Sequence, residues 1–118
     1  MGKTKVRKKT RYIFNGRLIK LALRRTILPN GNKVSLEVIS HPGAALIVPF
    51  LDSRRIIMIR QYRPVIGGYI YELPAGTVDG RETALNCARR EIVEETGYKA
   101  KIMKRLGLIY PAPGYTDE

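Results

Sequence analysis

Cysteine and histidine are nearly missing from this chain, which holds one of each in 118 residues. With Cys87 alone, no disulfide can form within the chain, and a free thiol fits a reducing compartment, so a cytoplasmic protein is the expectation. Cys87 falls inside a helical stretch and reads as a packing residue. His41 stands beside Pro42-Gly43 and reads as a turn residue, with no catalytic role assigned to it. Long apolar runs are missing too. None is long enough to span a bilayer, and no hydrophobic stretch follows the basic N-terminus as a signal peptide requires. No membrane partner is therefore expected. Acidic residues are also scarce: 10 against 22 basic ones, for a net charge of +12. The length suits one domain at the small end of what buries a core, with no room for a second.

Six of the basic residues crowd into the first eleven positions: Lys3, Lys5, Arg7, Lys8, Lys9 and Arg11. Residues 1–10 read as a basic flexible arm, either solubilising or attracting nucleic acid. Only Tyr12 and Phe14 lie close enough to stack on bases, so nucleic acid is the weaker of those readings. Residues 11–42 read as an N-terminal strand segment. Arg11–Phe14 and Leu18–Ile27 flank Asn15-Gly16, a two-residue hairpin signal, and Pro29-Asn30-Gly31 separates the second run from Val34–Ile39. From residue 43 onward, Ala44–Phe50 is a continuous apolar run expected to be a strand buried on both faces. Further strands are expected at Ile56–Gln61, Tyr69–Leu73 and Lys101–Ile109. Strands on both sides of one amphipathic helix indicate an α/β fold built in layers.

That helix carries three of the ten acidic residues. Thr83 reads as its N-cap and Gly97 as its left-handed C-terminal residue, which places the helix over Ala84–Thr96. Leu85, Ala88 and Ile92 recur at i, i+3 and i+7 and make the face expected to turn to the core. Glu91 and Glu95 lie one turn apart with Glu94 beside them, near the helix C-terminus. Like charges at i,i+4 cost a few tenths of a kcal/mol, and the helix dipole prefers cations there. Such a cluster is either solvated, with Arg90 pairing to Glu94, or neutralised by a hard cation. Mg²⁺ suits it, because that ion accepts a few carboxylates together with water and phosphate oxygens.

Seven residues stand in register around this helix: Gly76, Glu82, Arg90, Glu91, Glu94, Glu95 and Gly97. At roughly 5–7% background usage per residue type, chance would align them on the order of a few times per billion positions. The pattern resembles the Nudix box, the signature of enzymes that hydrolyse a pyrophosphate joined to another group. Tyr98 departs from it, standing where the family usually has an aliphatic residue. Flanking segments sharpen the likeness. Gln61-Tyr62-Arg63-Pro64 precedes the box, Glu72-Leu73-Pro74-Ala75-Gly76 leads into it, and Pro111-Ala112-Pro113-Gly114 follows, with Pro113 fifteen residues beyond Tyr98. Together they resemble the ADP-ribose pyrophosphatase branch from about Leu18 to Glu118.

The resemblance implies a Nudix-type α/β/α sandwich with a mixed sheet, preceded by N-terminal antiparallel strands, the core occupying residues 43–118. It implies Mg²⁺-dependent hydrolysis of ADP-ribose, or a related nucleoside diphosphate sugar, to AMP and ribose 5-phosphate, with Mn²⁺ as the alternative ion. Glu91, Glu94 and Glu95 become the catalytic and metal-binding carboxylates, with the backbone carbonyl of Ala75 as a further ligand. Glu82 and Arg90 become a scaffold pair tying loop to helix. Arg63, Glu37, Glu72 and Gly76 become the substrate-binding positions, and residues 18–39 the strands of a homodimer. Members of the family continue past the equivalent of Glu118 with a loop carrying a late glutamate, so the core is expected to be incomplete at its C-terminus and its general base to lie beyond this chain. A non-catalytic Nudix-fold module binding nucleotide or nucleic acid is the alternative; the intact carboxylates favour the enzyme.

Overall fold

A computed structural model of the chain describes residues 9–118. The basic arm of residues 1–8 lies outside the described residues; Lys9 and Thr10, grouped with that arm by composition, are the first two residues of a strand. The described residues form two compact units, 9–42 with 108–118 and 43–107. It is a mixed α/β fold of seven strands and one helix among the described residues.

The first unit is an antiparallel sheet of β1 (Lys9–Asn15), β2 (Lys20–Ile27) and β3 (Lys33–Ser40), in that order. Asn15 pairs with Lys20, so the first turn is a four-residue loop closed by the Gly16 N–H on the Ile19 carbonyl at 2.9 Å. The expected two-residue turn is absent because neither Asn15 nor Gly16 has the positive φ it demands. The second turn follows its chemistry: Gly31 takes φ 86°, and Asn30 Oδ1 accepts from the Asn32 N–H. One face of the sheet buries Ala22 and Val38. The last residues of the chain return to β3, where the Ile39 N–H donates to the Tyr115 carbonyl at 2.7 Å and forms a lone parallel bridge at Thr116. Asp117 clasps this return. Its carboxylate accepts from the His41 backbone N–H at 2.8 Å and from Arg24 at 3.4 Å. The His41 bond, with help from Arg24, holds the Asp117 carboxyl below its ordinary range.

In the second unit, β4 (Ala44–Leu46) pairs antiparallel with β7 (Ala75–Thr77), and β5 (Ile59–Arg63) with β6 (Gly68–Glu72). The helix α1 (Ala84–Thr96) packs on β4 and β7. Its ends obey local chemistry: Thr83 Oγ1 accepts the Asn86 N–H, and Gly97 adopts φ 75° while its N–H returns to the Val93 carbonyl.

Three expectations are corrected here. The apolar run from Ala44 holds only a three-residue strand; Ala45 within it and Ile47 just after it are buried, while Leu46 and Phe50 are exposed. A single ladder with the helix on one side buries only one face. The helix buries Cys87, Glu91 and Ile92, with Ala88 half-buried, whereas Leu85 is 48% exposed. The buried stripe follows the i, i+4, i+8 row through Cys87, Glu91 and Glu95, which faces β7, and Leu85 lies on its flank. Finally, Lys101–Ile109 forms no strand, and Ile102, Leu106, Leu108 and Ile109 are exposed. Apolar composition alone does not make a strand; a ladder needs a partner edge, and none pairs with this segment.

Candidate metal centre

The site grows from one missing side chain. Gly76 sits in β7 opposite Ala45, and a methyl placed there would land inside the Glu91 carboxylate. Glycine therefore lets α1 press Glu91 flat against the strand, leaving the residue 9% exposed. Just below, the Cys87 thiol donates to the carbonyls of Gly76 at 3.4 Å and Thr77 at 3.6 Å. Burial pushes that thiol above its ordinary pKa, so Cys87 is a packing residue with a weak donor.

Arg90 organises the carboxylates. Its Nε and Nη2 form a fork on Glu82 at 2.9 and 3.0 Å, and its Nη1 donates to Glu91 Oε1 at 2.7 Å and Glu94 Oε2 at 3.1 Å. Nη2 also reaches the Thr77 carbonyl at 3.4 Å. Every donor of the guanidinium is thus engaged. Contacts to Glu82, then to Glu91, raise the Arg90 pKa further above its already high value. The Arg90 bonds, against some desolvation and helped by the Asp79 N–H at 3.2 Å, hold Glu82 down at about 2.

That depression predicts a pH dependence. The folded pKa of about 2 lies below the ordinary value of 4.5, so the pair stabilises the fold fully above 4.5 and progressively less as the pH falls toward 2. In thermal melts from pH 6 to pH 2, Glu82→Gln is expected to be less stable than the parent at pH 6, the gap narrowing below pH 4.5. A gap constant across that range would show that Glu82 is not ionised and paired in the folded state.

Glu95 is the exception to this pairing. It accepts the Ala75 backbone N–H, yet its Oε2 is buried without any hydrogen-bond partner. Burial is the main cause that raises its pKa, and neighbouring Glu91 adds to it, while the Ala75 N–H and Arg63 pull the other way. A buried carboxylate oxygen left unpaired is costly, on the order of 1–3 kcal/mol or more. Above this point lies the β5–β6 hairpin. Arg63 and Glu72 share one of its faces and form a bidentate pair, Nε to Oε2 and Nη2 to Oε1, both at 2.9 Å. The Glu72 contact raises the Arg63 pKa, and Glu95 contributes in the same sense.

The structure therefore gathers Ala75, Gly76, Glu91, Glu94, Glu95, Arg63 and Glu72 in one unit. Glu37 belongs to the other, on β3 opposite Leu23. The Arg63–Glu72 pair and the Arg90–Glu91 contact went unread in the sequence. The hairpin register places Arg63 and Glu72 on one face, and Pro64 and Gly67 at its turn are the signal by which the first of these could have been found.

The donor set suits a hard divalent cation. It offers an orphaned Glu95 oxygen, a Glu91 carboxylate seated in a cradle only glycine leaves open, and Glu94 at its edge. As the side chains stand, no three His, Cys, Asp or Glu groups converge on one point among the described residues. Arg90 Nη1 takes Glu91 Oε1 and Glu94 Oε2, and is itself the cation at that end of the helix.

Known proteins resemble this chain over most of its length. It matches the NUDIX domain family over residues 40–118. It is 39% identical to an ADP-ribose pyrophosphatase of Bacillus subtilis (strain 168), the alignment covering 90% of this chain and 57% of that protein. It is 38% identical to a methanol dehydrogenase activator of Bacillus methanolicus, over 93% of this chain and 60% of the relative. A crystal structure described as an ADP compounds hydrolase superposes with a TM-score of 0.74 at 26% identity, covering 98% of this chain and 64% of that one. The chain thus spans about three fifths of the length of these relatives.

Proposed function

The chain belongs to the Nudix domain family, and on that premise we propose that it serves Mg²⁺-dependent hydrolysis of the pyrophosphate bond in ADP-ribose or a related nucleoside diphosphate sugar, yielding AMP and ribose 5-phosphate. The observation that carries this reading is the buried, unpartnered Oε2 of Glu95 beside the glycine-cradled Glu91. An uncompensated carboxylate in that position is explained by a ligand that supplies positive charge.

In this reading Glu91, Glu94 and Glu95, with the Ala75 carbonyl, hold Mg²⁺, and Mn²⁺ would substitute. When bound, the ion supplies charge neutralisation of the diphosphate and acidifies water. The chain's own residues do the rest. The Ala75 N–H fixes the Glu95 carboxylate against β7, and the Arg90 fork on Glu82 fixes the helix against the loop that precedes it. Arg63 carries the positive charge nearest Glu95 from the hairpin, and Glu72 holds its guanidinium in a defined plane, poised for a diphosphate or its terminal ribose. Gly76 contributes backbone to the substrate side, and Glu37 a contact to the adenosine or ribose end. The general base is not among the residues assigned. We further propose a homodimer built on the N-terminal strands, since β1 and β3 are both edge strands of a three-stranded sheet. Among the described residues, no helix is long and apolar enough to cross a membrane, and the cytoplasm is the proposed compartment.

The test is direct. Incubation with ADP-ribose and Mg²⁺ should release AMP and ribose 5-phosphate in equal amounts, resolved by ion-exchange chromatography, and EDTA should stop the reaction. ADP-ribose left intact under these conditions would remove the enzymatic reading for this chain.

A further inference from the structure

A cationic face on the N-terminal sheet serves neither the metal centre nor the helix. Alternation along the strands sends Ala22 and Val38 to the buried side and Lys9, Arg11, Leu23, Arg25 and Ser35 to the other. Arg25 stands in the middle strand, opposite Lys9 on β1 and opposite Ser35 on β3, with Arg11 and Lys33 each two residues away along the edge strands. These side chains line two adjoining clefts of about 350 and 370 Å³ that share Arg25 and Ser35.

Ion pairs elsewhere in the described chain engage Arg24, Arg55, Arg63 and Arg90. None engages Lys9, Arg11, Arg25 or Lys33. The one acid on the same face, Glu37, sits opposite Leu23, a row away from Arg25 and Ser35. Four unpaired cations within a patch three strands wide, roughly 10 Å across, repel one another. A sheet face meant only for solvent would intersperse both signs. A second copy of this chain is a poor cover for the face, because a two-fold contact would set this cationic patch against the same cationic patch of the partner.

We infer that this face binds the phosphate backbone of a nucleic acid, without sequence preference. A phosphodiester chain brings a regular series of negative charges to match the row, and Leu23 and the arginine planes offer surface to sugar or base. The carboxylate cluster lies in the other unit, so loss of this binding and loss of hydrolysis are separate outcomes; Glu37, a row away from Arg25, is the one residue that the two readings share. Neutralising four phosphates of a single strand contributes about −3 to the slope of log K against log salt, at about 0.7 per contact.

The experiment is fluorescence anisotropy with a fluorescein-labelled 20-nucleotide single strand, with its duplex as a second probe, from 25 to 200 mM KCl. The variant Arg11→Gln/Arg25→Gln/Lys33→Gln is expected to bind about a hundredfold more weakly at 0.1 M salt, with a slope shallower by about 2. A variant of equal charge change in the other unit, Lys99→Gln/Lys101→Gln/Lys104→Gln, should stay within twofold of the parent. The charge-preserving Arg11→Lys/Arg25→Lys/Lys33→Arg should retain binding, and circular dichroism should show all three folded. Equal losses in the two glutamine variants would reduce the effect to net charge and overturn the site. So would parent-like binding by the first variant, or selective binding of phosphatidylserine vesicles with none of the oligonucleotide.

Discussion

Glu95→Gln is expected to abolish hydrolysis of ADP-ribose while leaving the fold intact or slightly steadier. The substitution keeps the shape of the side chain and removes its charge. In metal-free buffer the parent holds a buried carboxylate whose Oε2 has no partner, so removing the charge relieves desolvation. Melts in EDTA should therefore show the variant at or above the parent midpoint. Activity should move the other way. Loss of a positioned carboxylate at the reacting centre typically lowers rate by on the order of 10²–10⁴-fold, about 3–5 kcal/mol at 1.36 kcal/mol per decade. The two readouts together separate a functional loss from a structural one. A variant that releases AMP as fast as the parent would remove Glu95 from the site.

Gly76→Ala should damage both properties at once. Gly76 is not among the glycines with positive φ, so alanine would tolerate the backbone and the harm is steric. The added methyl overlaps the Glu91 carboxylate, which is held on its far side by Arg90 and cannot retreat without breaking that contact. Overpacking of this kind typically costs about 1–3 kcal/mol. Displacing Glu91 by about 1 Å would cost on the order of 100-fold in rate. A lowered melting midpoint together with that loss is the expected outcome, read by calorimetry and AMP release. Parent-like melting would mean that the strand and helix can part freely here, and the cradle argument would fall.

These two residues also show what was legible in advance. Gly76 and Glu95 stood in a spaced pattern that is readable because helix caps and carboxylate spacing are local. Thr83 and Gly97 delimit α1 by chemistry within one turn of each end, and the structure places the helix where they say. Non-local facts resisted. Periodicity finds a helical face but not its partner, so it includes Leu85 in a stripe whose centre is Cys87 and Glu91. Composition finds apolar segments but not edges to pair them with, so it suggests a strand over Lys101–Ile109 that does not form. The Asn15-Gly16 turn does not form because neither residue takes the positive φ it needs, and the loop closes over residues 16–19 instead. Asp117 clasping His41 and Arg24 joins residues separated by 76 and 93 positions, beyond the reach of any local pattern.

Arg90 has one more consequence. Its guanidinium is a counter-ion tethered to the helix, and it keeps Glu91 and Glu94 from facing each other bare. In the proposed metal-binding reading, loading the centre would be an exchange in which a guest ion displaces this resident. A monovalent ion brings no more charge than the resident already provides, while a divalent one brings twice as much. An arginine of this kind would act as a valency filter, turning away the abundant alkali cations by making their entry pointless.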